Sequence, residues 1–152
     1  MYSLFIMKYY QGKYKPTNPS KYRGDVSNII YRSSWELTAM RYFDTNPNVL
    51  AWGSEEFAIP YYSPVDKRIH RYFPDFIIQV RDKDGSLNNI VVEIKPMAQT
   101  SPPRIRDRKN RRYINEVFTY VINEAKWKAA EAFCAERKMQ FRVITEKELF
   151  GR

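Results

Sequence analysis

Leu37, Met40 and Phe43 recur every third residue behind Ser33 and Ser34 and ahead of Asn46-Pro47-Asn48. That spacing puts the three on one helical face. Either serine can cap the start, Glu36 stands at capping-box distance from Ser33, and Pro47 stops the run. The pattern predicts a helix over 33–45. Downstream the composition changes. Three runs, Phe57–Tyr62, His70–Val80 and Asn89–Lys95, are rich in β-branched and aromatic residues and predict strands. Ser63-Pro64-Val65-Asp66-Lys67 joins the first pair. Arg81-Asp82-Lys83-Asp84-Gly85 joins the second and carries the Asp-Gly signal of a hairpin. The three runs are expected to be antiparallel neighbours, with the middle one bent or bulged at Pro74, which has no N–H to give to a ladder. Ile114, Val117, Phe118, Val121, Ala125, Ala129, Ala132 and Phe133 then return to helical spacing. They predict one long helix, or two meeting near Asn123. A strand over Gln140–Ile144 follows, and Thr145 with Glu148 caps a last helical turn. The order helix, three strands, helix, strand implies an α/β fold: a mixed sheet flanked by helices, with loops at one edge.

Two stretches break every period. Residues 8–24, KYYQGKYKPTNPSKYRG, mix Gly, Pro, Asn and Ser with lysines and tyrosines. They read as part of an extended basic and aromatic N-terminal arm, residues 1–24, ahead of a single domain over 25–152. Such an arm suits DNA, a protein partner, or packing back on its own domain. Residues 96–112 form a second loop. Arg104, Arg106, Arg108, Lys109, Arg111 and Arg112 fill six of its last nine positions. This is either a solvated face or a phosphate-binding surface.

At 152 residues the chain suffices for one domain that buries roughly two-thirds of its unfolded surface. The net charge of +9 favours anionic partners, nucleic acid first, although an acidic membrane or protein surface also fits. One cysteine and one histidine exclude an internal disulfide and leave no ordinary zinc site. Cys134, between Phe133 and Ala135, reads as a structural thiol. A Ser-His-Asp triad would need His70 as its base, and no G-x-S-x-G turn accompanies it. No apolar run has transmembrane length, and the apolar start, Met1 to Met7, lacks the basic flank of a signal peptide. No membrane association is expected, and the place of action is expected to be the cytoplasm.

The chemistry concentrates in Phe73-Pro74-Asp75-Phe76 and Val91-Val92-Glu93-Ile94-Lys95. Ionised side chains amid apolar strand residues are costly unless paired. Glu93 and Lys95 project from one face of their strand and Val92 and Ile94 from the other. A hairpin centred on Asp82–Gly85 brings Asp75 back beside Glu93. Two carboxylates and an ammonium then converge. Such a set suits phosphodiester hydrolysis: carboxylates hold a hard cation such as Mg²⁺, and the lysine orients water or stabilises developing charge. Glu36, on the polar side of the first helix, could complete it. The same residues also fit a structural ion-pair cluster, and spacing alone leaves both readings open. His70 is either a base or phosphate contact or a plain strand histidine. No helix-turn-helix or other base-reading element is visible, so strong sequence specificity is not expected.

Pro74-Asp75…Glu93-Ile94-Lys95, within this order of elements, resembles the PD-(D/E)XK nuclease superfamily. Tyr31–Glu36, His70–Phe76, Val92–Pro96 and Asn123–Trp127 further resemble the head-completion nucleases of T-even-like tailed phages and the endonuclease subunit of heteromeric transposases. The resemblance runs from about Lys21 to Leu149. It implies a restriction-endonuclease-like fold and a Mg²⁺-dependent DNA endonuclease, with Mn²⁺ able to substitute. Asp75 and Glu93 would be metal ligands and Lys95 the catalytic lysine. Glu36 would be the first-helix acid, a role for which Glu55 and Glu56 compete, and Lys126 a further active-site residue. The implied substrate is double-stranded DNA, and the implied partners are phage head or portal proteins. The setting would be the host cytoplasm during assembly, with retention in the virion head. The implied task is processing of packaged DNA ends or stabilisation of filled heads before tail joining. A non-catalytic plug or adaptor on a nuclease scaffold is the alternative.

Overall fold

A computed structural model of the chain describes residues 11–54 and 57–151. In chain order its elements are β1 (Gly12–Lys13), β2 (Ile30–Tyr31), α1 (Ser34–Thr45), β3 (Val49–Ser54), β4 (Ile59–Tyr62), β5 (Ile69–Tyr72), β6 (Phe76–Arg81), β7 (Leu87–Ile94), α2 (Arg111–Glu136), β8 (Gln140–Ile144) and α3 (Glu146–Phe150), with short 3₁₀ turns between some of them. The main sheet has the order β3-β6-β7-β8. Its first three strands are antiparallel, and β8 joins β7 in parallel, so the sheet is mixed. The parallel pair is possible because α2 carries the chain back across the sheet.

The helix boundaries follow from local chemistry. The Ser33 hydroxyl accepts from the Glu36 amide at 3.0 Å and starts α1. The Glu36 carboxylate reaches one residue past the usual capping partner and accepts from the Arg32 amide at 2.5 Å. The Asn110 carboxamide accepts from the Tyr113 amide at 2.9 Å and starts α2, which runs unbroken through Asn123. Thr145 and Glu148 make the full capping box expected for α3. In the β6–β7 turn, Gly85 takes a φ of 85°, where side chains are strained, and donates to the Asp82 carbonyl at 2.9 Å.

The two faces of the main sheet are covered differently. Trp35, Met40 and Phe43 of α1 pack on Trp52, Phe76 and Val92. Each such burial is worth about 1.5–3 kcal/mol. On the other side, α2 packs on β8 and on the small β4–β5 sheet, where Ala130, Phe133 and Phe141 join Ile59, Tyr61 and Tyr72 in one cluster. Cys134 is buried there, as a structural thiol would be. Among the described residues no helix is long and apolar enough to cross a membrane.

The structure departs from the expected strand order at two places. Val49–Ser54 forms β3, an edge strand of the main sheet. Burial on both faces erases the alternation that would have marked it. The run His70–Val80 is also two strands. Phe73-Pro74-Asp75 divides it, so that β5 pairs with β4 in a separate two-stranded sheet while β6 enters the main sheet. Pro74 removes a ladder donor and restricts Phe73 to extended backbone, which favours a break over a bulge.

The described part of the arm packs back on the domain. Asp44, fully buried, accepts from the Tyr14 hydroxyl at 2.6 Å and from the Thr17 and Asn18 amides at 2.7 and 2.9 Å. Lys21 donates to the Asp44 and Asn46 carbonyls, each at 2.9 Å. Burial opposes the Asp44 charge, but these hydrogen bonds and Lys21 outweigh it and hold its carboxyl below the ordinary carboxylate range. Residues 1–10 of the arm lie outside the described residues.

Candidate active site

The site forms where β5 hands the chain to β6. Phe76 pairs with Val92 in the β6–β7 ladder, so Asp75, one residue earlier, stands beside Glu93, one residue later. The Ile94 amide donates to Asp75 Oδ2 at 2.7 Å and fixes the carboxylate against β7. Val92 and Ile94 point to the α1 core, which turns Glu93 and Lys95 to the α2 face. Glu93 is 6% exposed. Lys95 Nζ lies 3.6 Å from Glu93 Oε2.

The two carboxyl groups are close enough to share a hydrogen-bonded proton. Burial, and next the Glu93 charge, push the Asp75 carboxyl well above the usual carboxylate range. The Ile94 amide works against this shift, and Glu36 adds to it from the first turn of α1. Lys126 approaches from α2. Its Nζ sits 5.8 Å from the Tyr61 ring centre and 5.7 Å from that of Tyr72. Desolvation lowers its pKa, the carboxylates of Glu93 and Asp75 partly restore it, and Lys95 opposes them. The Tyr72 hydroxyl is buried beside the same carboxylates without an aligned hydrogen-bond partner among the described residues. Burial, then the Glu93 and Asp75 charges, strongly oppose its ionisation.

Of the residues singled out from the sequence, the structure therefore brings Asp75, Glu93, Lys95 and Lys126 together, with Glu36 near enough to act on Asp75 electrostatically. His70 is held elsewhere: its Nε2 lies 2.6 Å from Asp66 Oδ2 on an exposed part of the β4–β5 hairpin, and its ring stacks on Tyr61. Glu55 and Glu56 lie outside the described residues. Arg104, Arg106, Arg108 and Lys109 occupy an exposed loop, and Arg111 and Arg112 form the first turn of α2. Arg106 and Arg112 both reach Glu116, at 3.8 and 3.4 Å. Sequence reasoning missed Tyr61 and Tyr72. Alternation in β4 marks Tyr61, which shares a face with buried Ile59, whereas β5 is otherwise exposed and Tyr72 is buried through its cross-strand pairing with Ile59.

Two oxygen-donor carboxylates held side by side, one of them resisting ionisation, are unstable together unless a proton or a cation neutralises one charge. That donor set fits a hard divalent cation that keeps several waters. Among the described residues there is no group of three or more His, Cys, Asp or Glu of the kind that cages a metal by itself.

The head completion nuclease of Enterobacteria phage T4 is 40% identical over 144 residues, covering 92% of this chain and 93% of that protein. The family described as TnsA-like endonuclease N terminal matches residues 46–146. That span runs from just before β3 to the start of α3 and contains Asp75, Glu93, Lys95 and Lys126, while Glu36 falls outside it. With a fold, a carboxylate pair and a match over most of its length all in agreement, the chain belongs to the TnsA-like endonuclease N-terminal family.

Proposed function

We propose that this protein is a divalent-metal-dependent DNA endonuclease that acts in phage head completion, processing packaged DNA ends or securing filled heads before tails join. The relative named as a head completion nuclease supports the setting. The observation that carries the chemistry is the Asp75–Glu93 pair, with Lys95 Nζ 3.6 Å from Glu93.

Asp75 and Glu93 would hold Mg²⁺, with Mn²⁺ as a substitute. When bound, the ion supplies Lewis acidity toward the phosphodiester and the attacking water. Lys95 then keeps a positive charge beside the reacting phosphate, where its ammonium can orient water and stabilise the charge that grows on the oxygens. Lys126 adds a second ammonium from the opposite wall. Its desolvation strengthens that interaction, because a charge in a poorly solvated site is weakly screened. Glu36 tunes Asp75 through space. The basic residues between Arg104 and Arg112 supply phosphate contacts without base readout. The partners are accordingly double-stranded DNA and the head or portal proteins of an assembling particle. The place of action would be the host cytoplasm, with retention in the filled head.

Nicking of supercoiled plasmid with Mg²⁺, with Mn²⁺ and with EDTA tests this reading. Wild-type protein should nick only with metal, and Glu93→Ala should lose at least about 10²-fold in rate while keeping its fold. Metal-independent cutting, or full activity in Glu93→Ala, would refute the assignment.

A further inference from the structure

One cavity lies outside the carboxylate site, between the loop after β7 and the N-terminal half of α2. Its volume is about 940 Å³, at the top of the roughly 300–1,000 Å³ range of small-ligand clefts and far more than an ion needs. Both walls lead back to the active site. Gln99 and Ser101 on one wall follow Lys95 by a few residues, and Asn123 on the other precedes Lys126 by less than one turn of α2.

A row of polar side chains runs the length of the α2 wall. Arg112, Asn115, Thr119 and Asn123 line the cavity, and Lys126 continues the series. Their spacings of three and four residues place them in one stripe on the helix. Asn123 is the informative member. It is 7% exposed, yet its carboxamide has no hydrogen-bond partner among the described residues. Its amide atoms are not sealed from solvent, and Asn123 lines the cavity, so they are open to a ligand carrying hydrogen-bonding oxygens. At the far end, Arg111 and Arg112 sit in the first turn of α2, which has no acidic residue there, so side-chain charge adds to the positive pole of the helix. The one acid on this wall, Glu116, is already engaged by Arg106 and Arg112.

Resting on the endonuclease reading, we infer that this groove is the track of the cleaved DNA strand. Asn115, Thr119 and Asn123 contact backbone phosphates within one short run of nucleotides on one side of the scissile bond. Eight residues separate Asn115 from Asn123, about 12 Å of helix at 1.5 Å per residue. A DNA strand rises about 3.4 Å per nucleotide, so the stripe spans three to four nucleotides. Asn123 lies nearest the reacting phosphate and positions it. The contacts are neutral hydrogen bonds, which hold the strand in register without adding charge, whereas Arg111 and the positive pole of α2 supply the electrostatic attraction at the entrance.

Binding can be read without cutting, so the test separates this inference from the nuclease assignment. Fluorescence anisotropy of a labelled duplex in EDTA, across a salt series, is the measurement. Asn123→Ala and the exposed double variant Asn115→Ala/Thr119→Val should each weaken binding about tenfold with the salt slope unchanged, because no phosphate charge partner is lost. Arg111→Gln should instead reduce the slope by about one. Duplexes carrying single neutral methylphosphonates should bind the wild type more weakly when the modification falls within one run of three to four nucleotides. Loss of that sensitivity in the double variant completes the assignment. Wild-type affinity in both sets of α2 variants, or an even methylphosphonate response along the duplex, would overturn the inference even if plasmid nicking succeeds.

Discussion

Asp75→Asn should abolish cleavage and at the same time make the metal-free protein more stable. Like charges held side by side repel by a few kcal/mol, since any two unit charges at about 4 Å and an effective dielectric of about 20 repel by about 4 kcal/mol. A shared proton and the neighbouring Lys95 and Lys126 relieve part of that in the wild type. The asparagine oxygen can still accept from the Ile94 amide, as Asp75 Oδ2 does at 2.7 Å, but as a neutral acceptor it forfeits about 1 kcal/mol. The balance is a gain of about 1–3 kcal/mol at pH 8 in EDTA, or roughly 3–10 °C in Tm for a chain of this size. The sign with pH follows from the direction of the shift. A carboxyl whose folded pKa is raised contributes stability below its unfolded value, and that stability is lost as pH rises through the folded value. The wild type should therefore weaken from about pH 4 upward and the variant should not, so the gap opens with pH and closes in acid. Adding Mg²⁺ should erase most of the variant's lead or reverse it. An ion at one hundred times its Kd stabilises by about 2.7 kcal/mol, and the variant lacks half of the carboxylate pair. Thermal unfolding from pH 4 to 8, with EDTA and with Mg²⁺, reads all of this. If Asp75→Asn proved less stable than the wild type at pH 8 in EDTA, with a gap that did not close in acid, Asp75 would be the anchor of a structural ion-pair cluster with the lysines.

Two further predictions follow from groups on and off the site. The nicking rate should fall as pH drops, with a midpoint above the ordinary carboxylate range because Asp75 must ionise, and raising Mg²⁺ should move that midpoint down, since cation and proton compete for the same oxygens. Asp44→Ala should lower stability by about 3 kcal/mol or more in chemical denaturation, because Tyr14, Thr17 and Asn18 all lose one charged acceptor, and should leave the specific activity of folded protein unchanged.

Much of the site was legible because it is built from short-range geometry. The Asp-Gly turn fixes the β6–β7 register, and that register sets Asp75 opposite Glu93 without knowledge of the rest of the fold. Alternation along β7 separates Val92 and Ile94 from Glu93 and Lys95, and the core requires that split. Capping chemistry set the start of α1 and the box of α3. What escaped depends on partners distant in sequence. Val49–Ser54 is a strand because β6 pairs with it and α1 covers it, and neither fact leaves a period in its six residues. The division of residues 70–80 between two sheets needed the knowledge that α2 offers a second surface for Tyr61 and Tyr72 to cover. Lys126 could be placed on a helix by its sequence, but its position over two tyrosine rings is a tertiary fact.

The break at Phe73-Pro74-Asp75 connects fold to function. Had the middle run continued as one strand, the residues around Asp75 would have been bound into a ladder with neighbours on both sides. Because Pro74 ends the pairing with β4, the chain crosses from the small sheet to the large one at this point, and Pro74 itself is fully buried. The crossing leaves Asp75 just outside the β6 ladder, where its side chain, not its backbone, satisfies the Ile94 amide. It also holds Tyr72 and Tyr61 over α2, so the same three residues that place one carboxylate determine where Lys126 can stand. A residue at position 74 able to donate a backbone hydrogen bond would let β5 and β6 drift toward one continuous strand. Activity should then suffer before stability does, because the carboxylate pair needs its geometry held to within a fraction of an ångström, while the two apolar clusters tolerate small shifts.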